Sequence, residues 1–192
     1  MNARDRFCAR VNLSTELWGL GMGFEASADE GLLLDLLNTT PVMDGNRRDL
    51  IGDGEAGRRW LADHGQRASV EEWETLREVR SVLQDVVRGE QSAGSLAPFL
   101  AGVAYRPAGV DDGISWSLDV PEGCGAAARA VLAWGALYES SPGRLRPCAN
   151  PDCRLFLIDH SKPNTARWCS MARCGNRMKA RRHYERTREA TR

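Results

Sequence analysis

Residues 144–177 read RLRPCANPDCRLFLIDHSKPNTARWCSMARCGNR, and four of these residues are cysteines arranged in two close pairs. The pattern is Cys148-x4-Cys153-x15-Cys169-x4-Cys174. Two cysteine pairs separated by a hairpin-sized segment are typical of a tetrahedral zinc site, because each pair lies on a turn and the segment between them brings the turns together. The spacing therefore predicts a small zinc finger held by these four residues.

The predicted metal is structural, with one zinc ion per chain. Four thiolates complete a tetrahedral shell and leave no position for a catalytic water. A segment this short buries little core, so zinc binding would supply much of its folding free energy. The alternative is four ordinary buried cysteines, which the paired spacing disfavours. Cys8 and Cys124 lie outside the pattern and are interpreted as ordinary residues.

The secondary structure expected within the finger is a hairpin followed by a helix. Residues 154–158 and 165–168 are the predicted strands, joined by the turn-rich segment 159–164. Cys174 is expected at the start of the terminal helix, with Met178 and Tyr184 packing back onto the finger.

The terminal segment is strongly basic, although the whole chain has a formal net charge of zero. Residues 144–192 carry 13 Lys+Arg against 4 Asp+Glu, whereas residues 1–143 carry 13 against 22, so the two parts have net charges of +9 and −9. An arginine-rich helix fixed by a zinc knuckle suits the DNA phosphate backbone. The alternatives are a solvated charged face and a patch docked on the acidic part of the same chain. The candidate DNA-contacting residues are Arg167, Arg173, Arg177, Lys179, Arg181, Arg182, Arg186 and Arg188.

The rest of the chain is predicted to be mostly helical, which makes the fold class α+β. Helices are expected at 32–38, 55–64, between the Ser69 cap and Gly89, near 95–102 and at 126–138. Residues 103–106 and 114–120 are expected to form a half-buried antiparallel hairpin across a turn at 107–113. The predicted organisation is an unassigned segment 1–23, a helical domain 24–143 and the finger 144–192.

The tetrapeptide Cys174-Gly175-Asn176-Arg177 resembles the signature of the CGNR zinc-finger family, and the similarity extends over roughly Arg144–Arg186. Upstream, Leu34-Asp35-Leu36-Leu37-Asn38-Thr39 and Trp60-Leu61 resemble the ABATE-type domain that precedes such fingers. The resemblance implies a bacterial, stress-linked transcription regulator. In that family the finger is expected to bind DNA, and the N-terminal domain is expected to sense a small-molecule effector or to form a homodimer.

A second hypothesis places a ligand pocket or an active site in the N-terminal domain, with the finger purely structural. Its candidate residues are Asp35, Asn38, Trp60, Trp116 and Trp134. A buried, hydrogen-bonded carboxylate explains Asp35 and core packing explains the tryptophans equally well. The sequence has no phosphate-binding glycine loop, no nucleophile elbow and no histidine at triad spacing, which argues against an enzyme. It also has no leader-like or membrane-spanning apolar stretch, so a cytoplasmic protein is predicted, in which reduced thiols favour metal binding.

Overall fold

The computed structural model describes residues 23–190, and the side chains of residues 29–189. It has the predicted α+β, mostly helical architecture with small antiparallel hairpins. The helices are α1 (Gly23–Leu37), α2 (Gly54–Asp63), α3 (Val70–Arg88), a 3₁₀ helix (Ala93–Leu100), α4 (Gly125–Ser140), a π-helical turn (Met171–Gly175) and α5 (Asn176–Ala190). The segment 1–23 lies outside the described residues, apart from the Gly23 backbone.

Three antiparallel hairpins complete the described part of the chain. They pair β1 (Val42–Met43) with β2 (Asn46–Arg47), β3 (Ala104–Val110) with β4 (Gly113–Asp119), and β5 (Leu145–Pro147) with β6 (Phe156–Ile158). None of the helices described between residues 23 and 190 is long and apolar enough to cross a membrane.

Helix α3 contributes an apolar stripe to the core, and its own sequence determines both of its ends. The Ser69 hydroxyl accepts a hydrogen bond from the Glu72 backbone N–H at 3.2 Å, and Gly89 ends the helix with a φ of 77°. Leu76, Val79 and Leu83 are fully buried against the other helices. The prediction of a helix between Ser69 and Gly89 is confirmed.

Three buried polar side chains of α3 form hydrogen bonds with neighbouring segments. The Glu72 carboxylate accepts hydrogen bonds from the first two backbone N–H groups of α4 at 2.9 and 3.1 Å, instead of folding back onto its own helix. The Arg80 guanidinium makes a bidentate pair with Asp49 at 2.6 and 2.8 Å, which holds the pKa of that carboxyl below its usual value. Gln84 donates to the Leu37 carbonyl at 2.8 Å, so each of these three side chains has a hydrogen-bond partner.

The β3–β4 hairpin forms where a strand pair was predicted, but its length and burial differ from the prediction. Both strands extend into the region expected as a turn, which shortens the turn to residues 111–112, and Pro107 pairs with Trp116 within the ladder. Proline is tolerated there because both strands of a two-stranded ribbon are edges. Most of the ribbon is exposed rather than half-buried, since no other sheet or helix covers it within residues 23–190.

The finger shares its core with the helices. Phe156 on β6 is 1% exposed and belongs to the same buried cluster as Leu36 and Leu83. The Asn38 side chain fixes this contact, because its Oδ1 accepts from the Phe156 N–H at 2.7 Å and its Nδ2 donates to the Phe156 carbonyl at 3.3 Å. The finger is therefore attached to the helical part by apolar packing and by a pair of hydrogen bonds.

Candidate zinc centre and basic helix

The four predicted cysteines converge, with their sulfur atoms all within 4.8 Å of one another. The Sγ–Sγ distances are 3.7 Å for Cys153–Cys169 and 3.6 Å for Cys169–Cys174. A tetrahedron with zinc–sulfur bonds of about 2.3 Å has edges of roughly 3.8 Å, so this arrangement fits the ion. The four residues could hold one zinc ion, in agreement with the predicted cofactor.

Backbone hydrogen bonds shape the two turns that present the sulfur atoms. In the first turn the Cys148 N–H donates to the Leu155 carbonyl at 2.8 Å, and the Cys153 N–H donates to the Asn150 carbonyl at 2.9 Å. In the second turn the Cys174 N–H donates to the Ser170 carbonyl at 3.0 Å. These bonds define the two turns from which the four sulfur atoms converge.

Gly175 in the second turn lies close to two side chains, those of Met171 and Trp168. A Cβ at this position would lie 2.6 Å from the Met171 sulfur and 3.2 Å from Cδ1 of Trp168. The Met171 side chain is flexible and 50% exposed, so the Trp168 contact is the firmer restriction on a larger residue at this position.

The chemistry of the four thiols suits a divalent cation. Burial raises the pKa of the Cys153 thiol to about 11, and burial together with the Cys174 hydrogen bond also raises the pKa of Cys169. Burial alone would raise the pKa of Cys174. Hydrogen bonds from buried Asn150 and from the other cysteines outweigh burial, so the pKa of Cys174 is lowered. A bound cation would stabilise all four thiolates, and the Asn150 amide, 3.3 Å from the Cys174 sulfur, orients one of them.

The hairpin of the finger differs from the prediction. Residues 165–168 do not form a strand, and β6 pairs instead with β5, which precedes the first cysteine. The segment between the two cysteine pairs is held by the buried carboxylate of Asp159. That carboxylate accepts from the Ser161 hydroxyl at 2.6 Å, the Ala166 N–H at 2.7 Å and the Arg146 guanidinium at 2.6 Å. The Ser161 hydrogen bond and these further contacts outweigh burial and lower the pKa of Asp159 to about 2.

The predicted DNA-contacting residues surround the second turn and continue along α5. All eight of them are exposed. The Arg167 and Arg182 guanidinium carbons lie 5.4 and 6.0 Å from the Trp168 ring, which places two cations beside the same indole. The eight residues are Arg167, Arg173, Arg177, Lys179, Arg181, Arg182, Arg186 and Arg188.

Helix α5 is not docked on the acidic part of the chain as far as the structure describes that part, because every residue from 179 to 189 is exposed. Met178 is half-buried against the finger, but Tyr184 is 73% exposed, so the prediction that it packs back is wrong. The helix leaves the finger after its first turn, and only that turn is close enough to bury side chains.

The five candidate pocket residues have different neighbours. Asp35 is 63% exposed rather than buried, because the α1 period turns Leu33 and Leu36 inward and leaves Asp35 outside. It meets His64, whose Nε2 lies 3.2 Å from Asp35 Oδ2 and whose ring stacks on Trp60 at 3.8 Å. Of the other three, Asn38 binds the Phe156 backbone, Trp116 lies on the exposed hairpin, and Trp134 stacks on Tyr138.

In this chain a helical part packs against a four-cysteine centre, and an exposed basic helix follows. This architecture is that of zinc-finger proteins with an N-terminal helical domain. The CGNR zinc finger family matches residues 144–187. The ABATE family, described as "Putative stress-induced transcription regulator", matches residues 30–138. That match covers more than half of the chain, so the chain belongs to the ABATE family. None of the curated proteins matches the chain.

Proposed function

We propose that the protein is a DNA-binding transcription regulator whose finger holds one structural zinc ion and presents α5 to the phosphate backbone. In this proposal the metal ligands are Cys148, Cys153, Cys169 and Cys174. The observation that carries the proposal is the exposure of the basic helix, since residues 179–189 are all exposed beyond the second cysteine turn. A rigid, cationic surface of this kind suits a polyanion.

The charge balance of α5 and its surroundings supports this role. Among the eight candidate residues, only Arg181 has a carboxylate of residues 29–189 within ion-pair distance, with Glu185 at 3.2 Å and Asp152 at 3.9 Å. Within the same residues, the other seven cations have no carboxylate to displace before they contact phosphate. Arginine also presents a planar fork that binds phosphate oxygens in pairs.

A duplex-DNA titration at several salt concentrations tests the function. We expect the logarithm of the binding constant of the full-length protein to fall linearly with the logarithm of salt concentration. Replacing Arg182 and Arg186 together by alanine should reduce that slope by about 1.8, because each lost phosphate contact removes about 0.9.

The matched control for this titration is the pair Arg58→Ala and Arg59→Ala on α2. Both arginines are exposed, and the same charge is removed away from the finger. Absence of binding to random duplex at low salt, or an equal loss in the control, would contradict the proposal.

We infer that the N-terminal part forms a homodimer rather than a sensing pocket, because one face of the β3–β4 ribbon is apolar and exposed. The register places Tyr105 opposite Leu118 and Pro107 opposite Trp116, with Ile114 on the same face. Ile114 is 67% exposed and Trp116 is 42% exposed. A two-stranded ribbon alone is marginally stable in water, and both of its edges can accept another strand. A second copy of the ribbon would cover such a face.

The dimer proposal predicts that Ile114→Lys shifts the protein towards monomer in sedimentation velocity at micromolar concentration. A charge on the apolar face cannot be buried against the partner without a large desolvation cost. Ser115→Lys places the same charge on the opposite face of the same strand and should leave the dimer intact. A wild-type protein that is monomeric under these conditions would overturn the proposal.

A further inference from the structure

Trp168 comes immediately before the second cysteine turn, and the backbone on both sides of it is hydrogen-bonded to the first cysteine turn. Before it, the Arg167 carbonyl accepts from the Ala149 N–H at 2.8 Å. After it, the Cys169 N–H donates to the Cys148 sulfur at 3.4 Å. The backbone that carries the indole is therefore held to the other half of the zinc site at two points.

The indole ring of Trp168 also packs against the end of the second turn. A Cβ at Gly175 would lie 3.2 Å from Cδ1 of this ring, so the ring lies against the backbone that follows Cys174. Trp168 is half-buried. The indole is thus held by its backbone and along its Cδ1 edge, while part of the side chain remains accessible to solvent.

Two arginines from separate segments lie beside this ring. The guanidinium carbon of Arg167 lies 5.4 Å from the ring centre, and that of Arg182 lies 6.0 Å from it. Distances of about 6 Å or less are those of cation–π contacts. Arg167 belongs to the loop before the turn, whereas Arg182 belongs to α5. A single indole therefore brings together one cation from the loop and one from the basic helix.

Arg182 and its neighbour Arg181 have different surroundings. The Arg181 side chain lies 3.2 Å from Glu185 and 3.9 Å from Asp152. Within residues 29–189, the Arg182 guanidinium has neither an ion pair nor a hydrogen bond, and the same is true of the other arginine beside the indole. Both guanidinium groups therefore keep their N–H donors available for an external anion.

We propose that Trp168 is a positioning residue of the DNA-binding surface, which holds the guanidinium groups of Arg167 and Arg182 in place before DNA is bound. The inference rests on the proposed DNA-binding function and deepens it. An arginine that is already ordered on the indole loses less conformational freedom when it binds phosphate than a mobile one does. A strand presents one phosphate about every 3.4 Å along the duplex axis, so two arginines around one ring can contact the same strand.

The test is a duplex-DNA titration at several salt concentrations with full-length zinc-loaded protein that carries Trp168→Leu. We expect binding to be about tenfold weaker at each salt concentration, because two arginine side chains must then be ordered on binding. The salt slope should keep its wild-type value, because both cations are still present. Trp168→Phe should recover part of the affinity, since phenylalanine retains an aromatic face. Unchanged affinity in the leucine variant, or a reduced slope, overturns the positioning role.

A double-mutant cycle separates this role from general damage to the turn. In an Arg182→Ala background, Trp168→Leu should weaken binding by only about threefold, because one arginine remains to be ordered. The matched background is Arg181→Ala, which removes the same charge one position away from a side chain that pairs with Glu185. There the loss should again be about tenfold. Equal losses in the two backgrounds would contradict the proposal.

The order of the arginine side chains in the free wild-type protein is a readout that does not depend on the stability of any variant. NMR relaxation at the Nε atoms should show Arg167 and Arg182 to be more ordered than Arg188, which has no hydrogen bond, ion pair or ring contact within residues 29–189. Equal mobility at the three positions overturns the positioning role and leaves the DNA-binding function standing. Failure of the wild-type protein to bind duplex overturns that function, and the role of Trp168 with it.

Discussion

Replacing Cys169 by serine is expected to abolish zinc binding and to unfold the chain from about residue 166 to the end of α5. A serine hydroxyl is not ionised at neutral pH and leaves the ion with three thiolates. The second turn buries little apolar surface, so metal binding provides most of its folding free energy. Metal analysis should fall from about one zinc per chain to nearly none. Hydrogen exchange should show lost protection in α5.

The helices from α1 to α4 should keep their structure in this variant, because β5 and β6 are held by the core. Phe156 lies among the buried leucines of α1 and α3, and the Asn38 side chain binds its backbone without any contribution from the metal. The matched control is Cys124→Ser, at a half-buried cysteine outside the cluster, which should retain full zinc content. Full zinc content in Cys169→Ser would show that the ligand assignment is wrong.

Local signals explain what the sequence predicted correctly. The Ser69 cap, the glycine after α3 and the paired cysteines each depend on residues close together in the chain, and each appears in the structure as expected. The Asp44-Gly45 turn between β1 and β2 is a further local feature, with φ values of 51° and 79° that suit a two-residue hairpin. Such signals depend on backbone conformation and spacing, which short stretches of sequence determine.

Long-range contacts explain what the sequence did not predict. Asn38 and Phe156 are 118 positions apart, and neither residue carries a signal for the other. Asp35 meets His64 across 29 positions, so the histidine that partners it could not be chosen from spacing. The strand partner of β6 was misassigned for the same reason, because several flanking segments had similar strand propensity and only tertiary packing selects among them.

The arginine-rich helix illustrates a different limit. The basic composition of the helix is evident from the sequence. A basic helix and an acidic segment in one chain, however, are equally compatible with a helix docked on that segment and with a helix exposed to solvent. Only the position of α5 relative to the core decides between them. That position depends on where the finger attaches, and the buried side chain of Phe156, whose backbone Asn38 binds, lies at the centre of that attachment.

Replacing Phe156 by alanine is therefore expected to destabilise the helical part and the finger together. A fully buried phenylalanine contributes roughly 3–5 kcal/mol relative to alanine, through lost apolar burial and the cavity that remains. For a chain of this length that loss corresponds to a decrease in melting temperature of about 6–20 °C. Removing the ring also deprives Arg88 of the aromatic face that supports its guanidinium. Calorimetry on the zinc-loaded protein measures the effect.

The matched control is Phe99→Ala on the 3₁₀ helix, where the ring is only half-buried and does not belong to the finger. It should lower the melting temperature by less, and it should leave the protection of α5 against hydrogen exchange unchanged relative to the core. Phe156→Ala should instead reduce the protection of both parts, because the side chain lies in the one core that they share. An unchanged helical transition accompanied by a separate, earlier transition of the finger would contradict this expectation and would show that the finger folds independently of the helices.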